Sequence, residues 1–135
     1  MRKQAGQAAI IGITTLAVVG LIIATAVAAM ALSEYKMTDE AAKGNEVFAA
    51  TEAKVSDNLM RIKKDPAWPS GPLPYTETNS DYLNEVEVTT TISETGSGLE
   101  IDVVGVKETV TRNIRAVIYT DTGRVDVFEI EPGML

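Results

Sequence analysis

Neither cysteine nor histidine occurs in the sequence. Without cysteine there is no disulfide framework, so a domain placed outside a cell must hold by packing alone. Without histidine the commonest general base and the commonest transition-metal ligand are both missing, and the usual acyl-transfer constellation cannot form. Basic residues are also in deficit: 12 Lys and Arg stand against 19 Asp and Glu, a net charge of -7. No basic stripe is available for a phosphate backbone, so no direct nucleic-acid contact is expected. Gly-rich phosphate loops and nucleophile elbows are lacking as well. Asp121, Thr122 and Asp126 make a poor calcium loop, and Glu85 and Glu87 read as solvated groups on one exposed strand face. No catalytic, cofactor-binding or metal-binding residue is assigned, no cofactor is expected, and an enzyme is not the expected class.

What is present is segregated. The chain is of one-domain length and 45% hydrophobic, but much of that share lies in its first quarter. Arg2 and Lys3 are followed by an uncharged stretch from Gln4 to Ser33, and Ala8 to Leu32 is almost wholly apolar. As a helix of about 25 residues this run would rise roughly 37 Å, enough to cross a hydrocarbon core of ~30 Å. The basic head and acidic remainder place the N-terminus in the cytoplasm and the bulk of the chain outside. A signal peptide cleaved near Ala29-Met30-Ala31 would need a shorter apolar region. A plain uncleaved anchor needs nothing beyond hydropathy. Within the run Gly12, Gly20 and Ala24, with Ala17 and Ala28, are small enough for helices to approach closely. Thr14, Thr15 and Thr25 are expected to bond back to helix carbonyls.

Beyond Leu32 a helical pattern persists through Met37, Ala41, Gly44, Phe48, Thr51, Val55, Leu59 and Ile62. These steps of three and four draw one seam, with Lys54 and the other charges off it. Phe48, Val55, Leu59 and Ile62 are the expected core residues of that seam. Lys63 and Lys64 then favour a helix C-terminus, and Asp65-Pro66 ends it. Residues 65–82, rich in proline, read as a loop that Trp68 and Tyr75 pin to the domain or present as a binding surface. From Asn84 the period becomes two, giving four strands near Val86–Ile92, Leu99–Val103, Val110–Tyr119 and Val125–Ile130. The third carries Arg112 on its inner face, and Asp121-Thr122-Gly123 turns it into the fourth. Their short connections imply an antiparallel meander, whose apolar face only the helix seam is available to cover.

The junction Lys3-Gln4-Ala5-Gly6-Gln7-Ala8-Ala9 resembles the processing site of type IV prepilins, where a basic leader ends in glycine before an apolar helix. The stretch Asn45-Glu46-Val47-Phe48-Ala49-Ala50-Thr51-Glu52-Ala53, with Leu59 and Asp65, is similar to the helix after the anchor in pilin-like proteins with a PilX-type N-terminal segment. Thr111-Arg112-Asn113-Ile114-Arg115 looks like their polar-then-Arg strand. The resemblance implies an α+β, type IV pilin-like fold: a long N-terminal helix, membrane-spanning in its first half, packed on a four-stranded antiparallel sheet. It divides the chain into a leader at 1–6, a transmembrane helix at 7–33, its amphipathic continuation at 34–64, the loop at 65–82 and the sheet at 83–135. It implies processing between Gly6 and Gln7 by a prepilin peptidase, insertion in the inner membrane, and partnership with other pilin subunits through the N-terminal helix. The major subunits of that family carry glutamate as the fifth mature residue; Ile11 stands there in this chain, so a minor subunit is implied. The alternative expectation is a stationary, membrane-anchored β-domain that binds a partner in the envelope.

Overall fold

A computed structural model of the chain describes residues 2–130, with side chains from Ile10 onward. It contains one long helix, α1 (Arg2–Lys64), and five strands: β1 (Tyr75–Leu83), β2 (Val86–Thr95), β3 (Gly98–Lys107), β4 (Val110–Tyr119) and β5 (Val125–Ile130). The chain parts into two units, residues 1–39 and residues 40–135. In the first, α1 has no proline to break it, and every described side chain from Ile10 to Leu32 is exposed.

In the second unit, the remainder of α1 packs on a five-stranded antiparallel sheet of order β1-β2-β3-β4-β5. The four expected strands are present, and a fifth, β1, occupies Tyr75–Leu83, so the proline loop ends eight residues earlier than expected, at Pro74. Two features conceal β1. The side chains it turns toward β2's buried row include Glu77 and Asn79, opposite Thr90 and Val88, where an alternating strand would carry aliphatics. Its hairpin turn, Asn84-Glu85, has both residues at positive φ, 53° and 60°. That is the type I′ geometry, and glutamate stands where glycine is the usual marker. Glu85 is therefore a turn residue and not the strand-face neighbour of Glu87.

The core is aliphatic: Val86, Val88 and Ile92 on β2, Ile101 and Val103 on β3, and Ile114 and Ala116 on β4, under Val47, Ala50 and Val55 of α1. Each fully buried Val or Ile contributes about 1.5–3 kcal/mol. The helix seam is rotated from the expected one. Thr51 and Val55 are buried as expected and Leu59 and Ile62 pack at the margin, but Phe48 is 37% exposed, and Val47, Lys54 and Asn58 are buried in its stead. The cause is Gly105 on β3, where an added Cβ would collide with the Thr51 hydroxyl and lie 3.1 Å from Val47 Cγ1. The helix backbone approaches too closely there for a phenyl ring. Arg112, on the same inner face, lies against α1 at Gly44, with its Nη1 3.4 Å from Glu129 Oε1.

The helix ends as expected. Asp65 N–H donates to Arg61 O at 2.8 Å, Asp65 Oδ1 accepts from Ala67 N–H at 3.1 Å, and three basic residues occupy the last turn. Trp68 pins the loop: its ring meets Tyr75 edge-on at 5.8 Å and lies under the Arg61 guanidinium at 5.6 Å.

Candidate functional site

The first unit presents an apolar surface made of side chains alone. Ile10, Ile13, Leu16, Leu21, Ile22, Ile23 and Val27 are each more than half exposed. The hydroxyls among them are internally satisfied: Thr14 donates to Ile10 O at 2.7 Å, Thr15 to Ile11 O at 2.8 Å, and Thr25 to Leu21 O and Ile22 O at 3.0 and 2.9 Å. The segment is long and apolar enough to cross a membrane. Positions Gly12 and Gly20 are open to the surroundings: apart from the adjoining helix backbone and chain neighbours, nothing lies within 4 Å of an added Cβ. Ala24 is exposed on the same helix, one turn beyond Gly20. The proposed processing residues Gly6 and Gln7 have helical backbone, and their side chains lie outside those described.

In the second unit, ion pairs bind turns of the sheet to α1. Lys107 Nζ donates to Glu46 Oε2 at 2.6 Å and to Asn84 O at 2.8 Å, and Lys43 Nζ lies 2.7 Å from Glu108 Oε2. The hydrogen bond from Lys107 to Glu46 holds the ammonium above its ordinary range, with burial opposing and the Glu46, Glu85 and Glu108 charges reinforcing. On the face away from the helix, Arg115 grips Asp102 through two hydrogen bonds of 2.8 and 3.1 Å and reaches Glu100 at 3.4 Å. The bonded carboxylate raises the guanidinium further. Neither arrangement presents an unengaged reactive group.

A polar cluster that the sequence does not advertise lies between α1 and β1–β2. Thr51, Lys54, Asn58 and Thr90 are buried to 1% exposure or less. Asn58 Nδ2 donates to Thr90 Oγ1 at 3.2 Å, and Lys54 Nζ stands 3.7 Å from Glu77 Oε2 and 5.2 Å from the Tyr82 ring centre. Lys54, expected on the solvated side of the helix, is thus enclosed, because the rotation that exposes Phe48 turns Lys54 toward β1. Asn58 Oδ1, Glu77 Oε2 and Asn79 Oδ1 are buried without a hydrogen bond, where such a group ordinarily finds a partner.

Tyr82 closes this cluster. Burial raises its phenol above the ordinary 10.0, the Asp57 carboxylate adds to the rise, and Arg61 partly offsets it. The fold therefore favours the neutral phenol. The associated stability is complete below the unfolded pKa and is lost as pH rises through the folded one. In a pH series running upward through 10.0, denaturation midpoints should fall, and Tyr82→Phe should flatten that fall. An identical slope in the two proteins would show that Tyr82 does not contribute.

An apolar groove of about 380 Å³ lies between the last turns of α1 and the β4–β5 margin of the sheet, lined by Leu59, Ile62, Lys63, Ile118, Gly123 and Val125. Elsewhere on β5, Val127 and Phe128 are about half exposed, Phe128 on the face away from the helix beside Arg115. Among the described residues no group of three His, Cys, Asp or Glu side chains is placed to hold a metal ion.

Comparison with protein-family models, with curated proteins and with solved structures gives no match to this chain.

Proposed function

We propose that this chain is a minor subunit of a type IV pilus or related surface filament, held in the inner membrane by its N-terminal helix before assembly. The observation that carries the reading is the bare helix from Ile10 to Leu32, whose side chains are exposed and whose hydroxyls are satisfied by its own backbone. Such a surface is stable in lipid or against other apolar helices, and in no aqueous setting. Lipid tails give no hydrophobic reason to leave the bilayer, so exchange into a filament relies on close packing, which the open positions Gly12, Gly20 and Ala24 permit. The fold of the second unit is compatible with a pilin head domain. The Gly6-Gln7 junction supplies the processing step, since glycine leaves the backbone open to a peptidase.

The groove at Leu59, Ile62 and Ile118 favours a second reading, an anchored β-domain that stays in the membrane and binds a partner. N-terminal sequencing separates the two. With a prepilin peptidase present, a subunit should begin at Gln7 and be recovered from sheared surface filaments, and Gly6→Leu should leave the chain intact from Met1 and confined to the membrane. A native chain that stays intact from Met1 and is absent from every filament preparation would leave the anchored domain.

A further inference from the structure

The cluster sets the enclosed amine of Lys54 near the half-buried carboxyl of Glu77, two residues along β1 from the half-buried carboxamide of Asn79. We propose that Lys54 and Asn79 join through an intramolecular isopeptide bond, formed with Glu77 as the proton-transfer group. The placement rests on three observations. Lys54 is 1% exposed, and its Nζ lies 3.7 Å from Glu77 Oε2, longer than a hydrogen bond, and 5.2 Å from the ring of Tyr82. Asn79 sits on β1 between those two neighbours of the ammonium, and like Glu77 it lies opposite a fully buried residue of β2. Asn79 Oδ1 is buried and hydrogen-bonded to nothing, so the amide carbonyl is unengaged. Asn58 also borders Lys54, but its amide nitrogen is occupied in donating to Thr90.

The reaction needs no oxidant or added reagent. A proton passes from the Lys54 ammonium to the Glu77 carboxylate, giving a free amine and a neutral acid. The amine nitrogen attacks Cγ of Asn79 while the acid hydrogen-bonds the carbonyl oxygen as negative charge develops there. A proton moves from the attacking nitrogen to the departing one, the C–N bond of the carboxamide breaks, and ammonia leaves. The ammonia takes the proton that Glu77 held, which restores the carboxylate. One amide is exchanged for another, and the departure of ammonia makes the step irreversible. The product fastens edge strand β1 to the helix in a chain that has no cysteine with which to do so.

The test is peptide mapping of the full chain extracted in detergent. The expected result is a tryptic fragment in which the segment containing Lys54 is joined to the segment containing Asn79, lighter than the two together by one ammonia and uncut after Lys54. The fragment, not the intact mass, carries the result, because an N-terminal glutamine can lose ammonia by cyclising. Lys54→Met and Asn79→Ala should each abolish the joined fragment, and Glu77→Gln should leave most of the chain unjoined while its circular dichroism stays native. Recovery from the native chain of separate peptides cut after Lys54 overturns the proposal whatever the variants do. So does a bond from Lys54 to Asn58, or a loss of water that marks Glu77 as the acyl partner.

Discussion

Replacing Gly105 with valine should lower the stability of the sheet domain by about 3 kcal/mol, the upper end of what overpacking a well-filled core costs. The first added carbon would overlap the Thr51 hydroxyl and sit 3.1 Å from Val47 Cγ1 and 3.4 Å from the Val47 carbonyl oxygen. The carbonyl is helix backbone, and Thr51 Oγ1 is itself held at 2.6 Å on that same oxygen. Relief therefore requires the helix to move away from β3, which would open the contacts of Val47 and Ala50 beside it. Urea midpoints of a fragment from Ser33 onward, native against Gly105→Val, measure the loss. Equal midpoints would mean that α1 does not approach β3 at this point.

Ile101→Ala in the same fragment should cost about 2–5 kcal/mol, the range for deleting a buried aliphatic side chain. Ile101 is fully enclosed on the central strand, between Ile92 of β2 and Ala116 of β4. No single shift of a neighbour can fill the space it leaves. Phe48→Ala should cost under about 1 kcal/mol, since it removes a side chain that already faces solvent in part. The ordering of the two is the informative quantity. If Phe48→Ala proved the more damaging, the seam would run through Phe48 and the observed rotation of α1 would be wrong.

That rotation shows where the sequence is a poor guide. Hydropathy selects Phe48 over Val47 and rejects Lys54, yet the buried positions are decided by a glycine about sixty residues away in the chain that lets the helix come close. No helical periodicity carries that information. The four strands β2 to β5 are legible because their inner rows are aliphatic and a glycine marks two of their turns. Strand β1 is not, because its inner row holds Glu77 and Asn79 and its turn is Asn84-Glu85. The polar cluster escapes notice for the same reason: its members come from α1, β1 and β2 and are ordinary surface residue types. Of the candidate functional positions, the apolar helix and the small residues at Gly12, Gly20 and Ala24 could be read directly, because membrane-length hydropathy needs no tertiary context. Val55, Leu59 and Ile62 were legible for the periodicity they share with the true seam.

The meander also sets how the domain opens. Strand β3 has two hydrogen-bonded neighbours, lies at the centre of the strand order, and has alternate residues fully enclosed, whereas β1 and β5 each bond along one side only. Amide deuteration should therefore advance inward from both margins. The Val125–Ile130 strand, with an exposed inner row and six residues, should exchange first. The amides of Ile101 and Val103 should exchange only when the whole domain unfolds, so their rates measure its global stability directly.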